Sequence, residues 1–197
     1  MYELFFQKLN EKITFTEEEQ TIIKEYLTPK KLRKKQYFLQ EGDICKSIAF
    51  VEKGALREYN VDDKGNEHIL QFAIEGWVIS DLYSFMTAEP ATYNIDALED
   101  SELLLMTKLA QEELLIRMPK YETFSRMQIT GAYLAMQKRV TSIISTSIEE
   151  RYLYFTNLYP NIVQRVPQHM IASYLGLTPE TLSRIRKKLS ENKMLSK

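Results

Sequence analysis

The residues with the clearest chemistry lie near the C-terminus, in the segment 178–188. This segment reads TPETLSRIRKK and combines hydroxyl, carboxylate, guanidinium and ammonium groups. Glutamate can accept a hydrogen bond from cytosine, arginine can donate two to guanine, and hydroxyl and ammonium groups bind phosphates. These residue types predict contacts with double-stranded DNA. We assign base contacts to Glu180, Arg184 and Lys188, and phosphate contacts to Thr178, Thr181 and Lys187.

Two short helices joined by a tight turn would position these side chains. Gly176 stands where the chain must turn, Thr178 suits an N-cap, and Pro179 suits the first helical position. Apolar residues recur at helical spacing on both sides of the turn: Ile171, Ala172, Leu175, Leu182, Ile185 and Leu189. The pattern is typical of a helix-turn-helix whose second helix enters the major groove. The alternative is an ordinary helical hairpin with a solvated basic face.

The charge distribution also separates the C-terminal part from the rest of the 197 residues. The formal net charge is only −1, but residues 139–197 carry nine Lys and Arg against four Asp and Glu. That segment is therefore basic and the preceding body is acidic. Such an asymmetry indicates a nucleic-acid module joined to a module of another kind.

Composition restricts the class of protein further. The chain is 44% apolar and 27% charged, as in globular proteins, and it has no apolar run long enough for a bilayer. The N-terminal stretch contains Glu3 and lacks a small-residue cleavage site, so we expect no secretory signal. The single Cys45 excludes an intrachain disulfide and a cysteine cage for a metal within this sequence. We therefore expect a cytoplasmic protein without a membrane partner.

The middle of the chain changes to an alternating pattern. From about 32 to 107, about eight short strands separated by glycine turns predict a double-sheet jelly roll, also called a double-stranded β-helix. A helix precedes it, with Thr16 as N-cap and Glu19 completing a capping box. A basic cluster follows this helix and is interpreted as a solvated strand edge rather than a phosphate site: Lys30, Lys31, Arg33, Lys34 and Lys35.

A long helix over 120–144 follows the jelly roll. Its apolar residues form a broad seam: Tyr121, Phe124, Met127, Ile129, Leu134, Met136, Val140 and Ile143. We favour pairing with a second copy, in a two-fold homodimer, over packing on its own chain alone. The predicted fold is α+β, with an effector domain at 1–119, a connecting and dimerisation helix at 120–144, and a helix-turn-helix domain at 145–197.

This arrangement resembles the Crp/Fnr family of bacterial transcription regulators over nearly the whole chain. The most specific stretches are FLQEGD (38–43), FVEKGALREY (50–59), DDKGNE (62–67), EGWVI (75–79) and IASYLGLTPETLSRIRKKL (171–189). The resemblance implies a DNA-binding regulator with an effector domain of the cyclic-nucleotide-binding type. RNA polymerase is then a candidate partner.

The effector domain departs from the family pattern for cyclic nucleotides. In members that bind them, a Gly-Glu pair and a later Arg with a hydroxyl residue hold the ribose and the cyclic phosphate. Here Ser80-Asp81 and Ala91-Thr92 stand at those places, and Lys64 is the only Lys or Arg within 58–107. An anion would lack its counter-charge. We expect no cofactor and no ordinary cyclic AMP binding; the alternative is a cyclic-nucleotide sensor with a non-standard phosphate site.

A different effector would have to use the residues around the same stretch. Candidate lining residues are Trp77, Ser80, Asp81, Leu82, Tyr83, Phe85, Ala91, Thr92 and Tyr93. The aromatic residues among them could line a pocket for a more apolar ligand, but we slightly prefer the interpretation that they fill the cavity as core. The family's iron–sulfur sensors use several cysteines, and haem ligation by a lone His68 is a weaker hypothesis than a structural role for it.

The recognition helix also differs from that of well-known family members, which begins Arg-Glu with an Arg four residues later. Glu180 and Arg184 match, but Pro179 replaces the leading Arg, which predicts a different half-site. The sequence has little or nothing where members add a β-hairpin wing. An enzyme of the cupin type would need several His ligands, and only His68 and His169 occur, so we expect no enzyme. A pure interaction module is disfavoured by the basic face of the second helix.

Overall fold

The computed structural model describes residues 2–195. Within that range the elements, in chain order, are α1 Glu3–Asn10, α2 Glu17–Glu25, β1 Thr28–Leu32, β2 Tyr37–Leu39, β3 Ser47–Lys53, β4 Ala55–Val61, β5 Glu67–Ile74, β6 Val78–Ile79, α3 Leu82–Thr87, β7 Asn94–Ala97, β8 Ser101–Thr107, α4 Lys108–Arg117, α5 Pro119–Ser145, α6 Ile148–Leu158, α7 Pro160–Arg165, α8 Gln168–Tyr174 and α9 Pro179–Leu195.

The strands form two four-stranded sheets. Their orders are β1-β8-β3-β6 and β2-β7-β4-β5. The pairs β1–β8, β3–β8, β3–β6, β2–β7 and β4–β7 are antiparallel. Alternate residues from both sheets fill a shared core that includes Leu56, Ile95 and Leu103, each fully buried. The predicted jelly roll is confirmed, because period-2 alternation buries one face of each strand.

A second apolar cluster joins the outer face of the first sheet to helices. Phe50 and Leu104 from the sheet pack with Leu9 of α1, Ile23 of α2 and Leu114 of α4. The predicted capping box begins α2: the Thr16 hydroxyl accepts from the Glu19 amide, and the Glu19 carboxylate accepts from the Thr16 amide. Local sequence therefore fixes where this helix starts.

The basic cluster lies partly on β1, an edge strand of its sheet. Lys31 forms an ion pair with Glu102 at 3.0 Å, which agrees with the predicted solvated edge. The strand begins at Thr28, earlier than the expected position near 32, and so contains Pro29. An edge position tolerates a proline because one side of the strand needs no amide donor.

Two helices were not expected from the sequence. α3 begins where the Asp81 carboxylate accepts from the Ser84 amide as an N-cap. α7 begins at Pro160, which occupies the start of a new helix rather than only ending the previous one. No helix within the described residues is long and apolar enough to cross a membrane.

The chain packs as two units. One contains the residues up to Asn60 together with Leu70–Tyr133, and the other contains Val61–Ile69 together with the chain from Leu134 onward. The second unit therefore includes the tip of the β4–β5 hairpin as well as α6 to α9. The domain boundaries suggested by the sequence, at 119/120 and 144/145, remain predictions.

Candidate functional site

The turn between α8 and α9 has the geometry predicted from Gly176. Its φ is +71°, and its amide donates to the Ser173 carbonyl at 3.0 Å. The Leu177 amide donates to the Ala172 carbonyl at 2.9 Å. These two bonds form a Schellman motif, which satisfies the last carbonyls of α8 and reverses the chain within three residues.

The inner faces of α8 and α9 are packed. Ile171 and Ala172 are completely buried, and Leu182 and Ile185 of α9 are nearly so. Phe155 of α6 and Ile162 of α7 are also buried, and the Phe155 ring contacts Tyr174 of α8. This packing determines which face of α9 is turned toward solvent.

The exposed face of α9 carries most of the predicted DNA contacts. At 100° per residue, Glu180, Arg184 and Lys187 lie opposite the buried stripe. Ser183 lies beside them and is exposed, although it was not among the predicted contacts. Its position on the helix could have been read from the same periodicity. The structure thus brings together one carboxylate, two cations and one hydroxyl on a single face.

The start of α9 is held by hydroxyl groups. The Thr178 hydroxyl accepts from the Thr181 amide at 3.3 Å and lies 3.1 Å from the Thr181 hydroxyl. The backbone amide of Glu180 and the Thr178 hydroxyl hold the pKa of the Glu180 carboxyl below its usual range, and the Arg184 charge adds to this. Arg184 itself donates to the Thr181 hydroxyl at 3.3 Å. A carboxylate at this end of a helix is favoured by the helix dipole.

Lys188, a predicted base contact, occupies a different position. Its ammonium group lies 3.0 Å from a carboxylate oxygen of Glu149 on α6, and this contact lowers the pKa of Glu149. Lys188 therefore lies to the side of the face formed by Glu180 and Arg184. Its role at a base edge remains a prediction, as do the other assigned DNA contacts.

The predicted effector residues do not form one surface. Phe85 and Ala91 are buried in the jelly-roll core, and Trp77 packs against it. Leu82 and Tyr83 are exposed on α3, where the Tyr83 hydroxyl donates to Glu89 at 3.2 Å. Ser80 and Tyr93 are half-buried, and Thr92 is exposed.

Asp81 is the best-connected member of this set. It is 2% exposed, and its carboxylate accepts from the Ser84 amide at 2.9 Å and from the Thr92 amide at 3.1 Å. The Ser84 hydroxyl in turn accepts from the Cys45 amide and donates to the Glu89 carbonyl. The carboxylate of Asp81 thus uses backbone donors on both sides of the loop that leads from α3 to β7.

Glu58 lies near Asp81 in this interior and was missed by the sequence analysis. It is 3% exposed on β4, and burial, with a further contribution from the Asp81 charge, raises its pKa to about 8. Burial also raises the pKa of the nearby Cys45 thiol. The interior next to Asp81 is therefore acidic, and a buried glutamate with this pKa is largely protonated at neutral pH.

The buried arginine of β4 belongs to the other face of the strand. Arg57 forks onto Asp96 with nitrogen–oxygen distances of 2.9 and 3.0 Å, and its guanidinium stacks on the Tyr59 ring. Asp96 stands on β7 between the core residues Ile95 and Ala97, so it faces away from the jelly-roll interior. Sequence offered no signal for this pair, because its partners are 39 residues apart.

A cleft of about 370 Å³ lies on the first unit. Its lining residues are Lys30, Phe38, Leu39, Asp43, Ile44, Cys45, Lys46, Ser47 and Leu105. None of these was among the predicted effector residues. Within the described residues, no group of three or more His, Cys, Asp and Glu is arranged to hold a metal ion. His68 instead lies 3.1 Å from the Asp62 carboxylate at the hairpin tip.

The long helix α5 carries an exposed apolar stripe. Its members stand at alternating spacings of four and three residues, and each is about half exposed or more: Ile129, Tyr133, Met136, Val140 and Ile143. Tyr121 and Phe124 are instead buried in the first unit. Spacing of this kind is typical of the seam between two paired helices.

Comparisons with known proteins agree with this architecture. The family model described as "Cyclic nucleotide-binding domain" matches residues 29–117. The fumarate and nitrate reduction regulatory protein of Vibrio cholerae is 24% identical over 178 residues, covering 85% of this chain and 70% of that protein. Regulatory protein HlyX of Actinobacillus pleuropneumoniae is 25% identical, with coverages of 93% and 80%. The global regulator CLP of Xanthomonas campestris, described as responsive to c-di-GMP, superposes with a TM-score of 0.70 at 16% identity, covering 90% of this chain and 93% of that one.

A cyclic-nucleotide-binding-type sandwich, a long helix and a C-terminal helix-turn-helix define a DNA-binding transcription regulator rather than an enzyme. Residues 29–117 match the cyclic-nucleotide-binding domain, and over most of its length the chain is similar to transcription regulators of the Crp/Fnr type. Regulators of this family bind DNA and act as dimers.

Proposed function

We propose that this regulator is a homodimer that binds a two-fold operator, one half-site for each α9. The observation that carries the proposal is the pair of surfaces on the C-terminal part of the chain. One is the exposed apolar stripe of α5, and the other is the exposed polar face of α9 with Glu180, Arg184 and Lys187.

The α5 stripe supports the dimer. Five large apolar side chains at coiled-coil spacing would remain in water in a monomer, whereas a second copy of the same helix can bury all of them. A two-fold axis along such a seam places the two recognition helices symmetrically. Their separation must then be close to one DNA turn, about 34 Å, to reach successive major grooves.

The α9 face supports sequence-specific reading. Arg184 can donate two hydrogen bonds to a guanine, and Glu180 can accept one from a cytosine. Arg184 donates to the Thr181 hydroxyl at 3.3 Å in an exposed contact, and a base edge can replace that contact at small cost. We expect a half-site that contains a G·C pair opposite Arg184.

An effector, where one acts, is proposed to be a molecule other than cyclic AMP. The support is the acidity of the interior beside α3: Asp81 already uses the amides of Ser84 and Thr92, and Glu58 is buried beside it. A cyclic phosphate there would meet a carboxylate rather than a cation. The regulator is also proposed to act in the cytoplasm, without a bound cofactor, and with RNA polymerase as a partner.

The proposed mechanism is a shift between two arrangements of the dimer. An effector in the jelly roll would change how the two α5 helices pack and thereby the separation of the recognition helices. Only the arrangement with the correct separation binds the operator well, so the effector changes the fraction of dimers in that arrangement.

The test of operator reading compares two arginines on α9. The wild-type protein first selects duplexes from a random-sequence pool, and affinities for the selected duplex and a scrambled one are then measured. Arg184→Ala should lower specific affinity by about 10- to 100-fold and relax preference at one base position. Arg186→Ala, which removes the same charge about 160° away around the helix, should weaken both duplexes to a similar extent. Equal behaviour of the two variants would contradict the assignment of Arg184.

The test of effector class is calorimetric titration of the dimer with cyclic AMP and cyclic GMP. We expect no saturable heat at micromolar ligand. Saturable binding would overturn the proposal and establish instead a cyclic-nucleotide sensor whose phosphate site is built without an arginine in the loop.

A further inference from the structure

The last three residues before the turn of the helix-turn-helix are each held by a different element of the second unit. The Ser173 hydroxyl donates to the Glu67 carbonyl at 2.8 Å and accepts from the Ile69 amide at 2.9 Å, both at the hairpin tip. The Tyr174 carbonyl accepts from Arg139 of α5 at 2.9 Å. The Leu175 carbonyl accepts from Arg151 of α6 at 3.5 Å.

The contact of Arg139 combines a hydrogen bond with a contact to an aromatic ring. Its guanidinium lies 4.0 Å from the centre of the Tyr174 ring, in addition to the bond to the Tyr174 carbonyl. The Tyr174 ring packs on Phe155, which also contacts Tyr159. Burial raises the pKa of Tyr174, and the positive charge of Arg139 acts in the opposite direction. The arginine thus has both a polar and an aromatic partner in one residue.

The Arg139 contact lies next to the turn that orients α9. Carbonyls at the C-terminal end of a helix are partly negative and attract cations. The Schellman turn uses the carbonyls of Ala172 and Ser173, directly before Tyr174, so the chain direction between α8 and α9 is set within three residues of Tyr174. A displacement of Arg139 therefore moves the end of α8 and the start of α9 together.

The same stretch of α5 also carries the apolar stripe. Val140, a member of the stripe, directly follows Arg139, and successive residues of a helix point about 100° apart. Val140 is 51% exposed, while Arg139 is half-buried against α8. One turn of α5 thus presents one side chain to the proposed dimer seam and the next to the helix-turn-helix.

We infer that Arg139 is a positioning residue for the recognition helix: it fixes the orientation of α8 and α9 relative to the α5 seam. This inference rests on the proposed dimer and two-fold operator. Arg139 touches no base; it acts by holding the Tyr174 ring and carbonyl. In the dimer, the packing of the two α5 helices then determines the separation of the two α9 helices. Arg139 transmits this effect, because its guanidinium links α5 to the end of α8.

The experiment uses the full-length protein with three substitutions. Arg139→Gln removes the cation and the stacking, while Arg139→Lys keeps the charge without the planar fork. Lys138→Gln is the matched control, because it removes an equal charge from the neighbouring exposed position on α5. The duplexes are the operator selected by the wild-type protein and versions of it whose spacer is one or two base pairs shorter or longer. A single half-site is measured beside them.

A positioning role predicts a specific pattern of affinities. Arg139→Gln should weaken binding to the selected operator by about tenfold or more and should flatten its dependence on spacer length. Its affinity for the single half-site should match that of Lys138→Gln. Arg139→Lys should lie between wild type and Arg139→Gln. Equal losses on every duplex, including the half-site, would overturn the inference, as would a spacer profile identical to that of Lys138→Gln.

Failure of the proposed operator is recognised separately. If the wild-type protein shows no preference for two half-sites over one, the two-fold operator is wrong. Amide hydrogen exchange then tests the positioning role directly. Arg139→Gln should speed exchange at Gly176 and Leu177 relative to Lys138→Gln, and equal exchange in the two variants would overturn the inference.

Discussion

Glu58 illustrates how one buried residue can make stability depend on pH. A carboxyl group with a pKa of about 8 in the fold and an ordinary value of 4.5 when unfolded binds its proton more tightly in the folded chain. The contribution of Glu58 to the free energy of unfolding is therefore largest at low pH. Its contribution is lost progressively as pH rises from about 4.5 to about 8, and is constant above that.

We predict that Glu58→Gln removes this dependence. The amide resembles the protonated acid in shape and carries no charge at any pH. The free energy of unfolding of the variant should exceed that of wild type by an amount that grows by up to about 1.4 kcal/mol per pH unit within this window. Urea denaturation at about pH 5.5 and pH 8.5 measures it. Glu41→Gln, at an exposed position, should leave the pH dependence of unfolding as in wild type. If the pH profile of Glu58→Gln is parallel to that of wild type, the raised pKa of Glu58 is contradicted.

Gly54 offers a prediction based on steric contact rather than charge. It joins β3 to β4 with φ of +103°, and an added Cβ would lie 2.7 Å from the backbone Cα of Ser101. Gly54→Ala should destabilise the fold by about 3 kcal/mol, because both the backbone conformation and the contact are unfavourable. Gly65→Ala provides the control, with a similar φ of +82° but open space around it, and should cost about 1 kcal/mol. Equal losses in chemical denaturation would show that the Ser101 contact does not matter.

For single residues, the sequence predicts those features that depend on neighbours close along the chain. The Thr16–Glu19 box and the positive φ of Gly176 were both predictable, because their partners lie within a few residues. Glu58 and the Arg57–Asp96 pair were not, because their environment comes from strands far apart in sequence. The charge of Arg57 is known from the sequence. The strand register decides that this side chain points away from the jelly-roll interior.

Among the elements, α5 has the most direct consequence for assembly. Its predicted range of 120–144 lies within one residue of the observed Pro119–Ser145 at each end. The sequence predicts one broad seam along this helix, whereas the structure separates its apolar residues into two groups. Tyr121 and Phe124 are buried in the chain's own core, and the exposed stripe includes Tyr133, which had not been singled out.

A charge placed on the stripe should disrupt the proposed dimer. Val140→Glu would put two carboxylates at the seam, one from each copy, and we predict a largely monomeric protein at micromolar concentration. Thr141→Glu adds the same charge at the next position, which points about 100° away, and should remain dimeric. Sedimentation equilibrium distinguishes the two. A dimeric Val140→Glu protein would mean that the stripe is not the interface.

The short helices show why element prediction had limits here. α3 and α7 have six residues each, too few for a recognisable apolar period. Their starts depend on Asp81 and Pro160, which equally suit loops. The sequence therefore does not show which candidate effector residues face inward; in the structure α3 turns Leu82 and Tyr83 outward and Phe85 inward.

For the whole molecule, the uneven charge should govern how binding responds to salt. The basic segment 139–197 has a net charge of +5 and the preceding residues −6. Operator affinity should fall steeply as salt rises, since phosphate contacts release counterions. Lys187→Ala should reduce the slope of log affinity against log salt by about one per subunit, with little change in base preference. Fluorescence anisotropy over a salt series measures this, and an unchanged slope would remove Lys187 from the phosphate contacts.

The overall architecture was predictable because hydrophobic periods of 2 and 3.6 residues separate the jelly roll from the helices that follow. The grouping of Val61–Ile69 with the C-terminal unit was not, since no local pattern marks a hairpin tip for a distant partner. The prediction of little or no wing after α9 extends to residues 196 and 197, which lie outside the described range.

That hairpin tip has a consequence for how the protein is made. Ile69 leaves the ribosome 104 residues before Ser173, whose hydroxyl accepts its amide hydrogen bond. At bacterial or eukaryotic translation speeds the interval is roughly 5 to 20 s. During that time the tip has no Ser173 to bind, and the C-terminal unit cannot be completed. A chain released before Ser173 is added would therefore lack the partner of the Ile69 amide and carry an unfinished C-terminal unit.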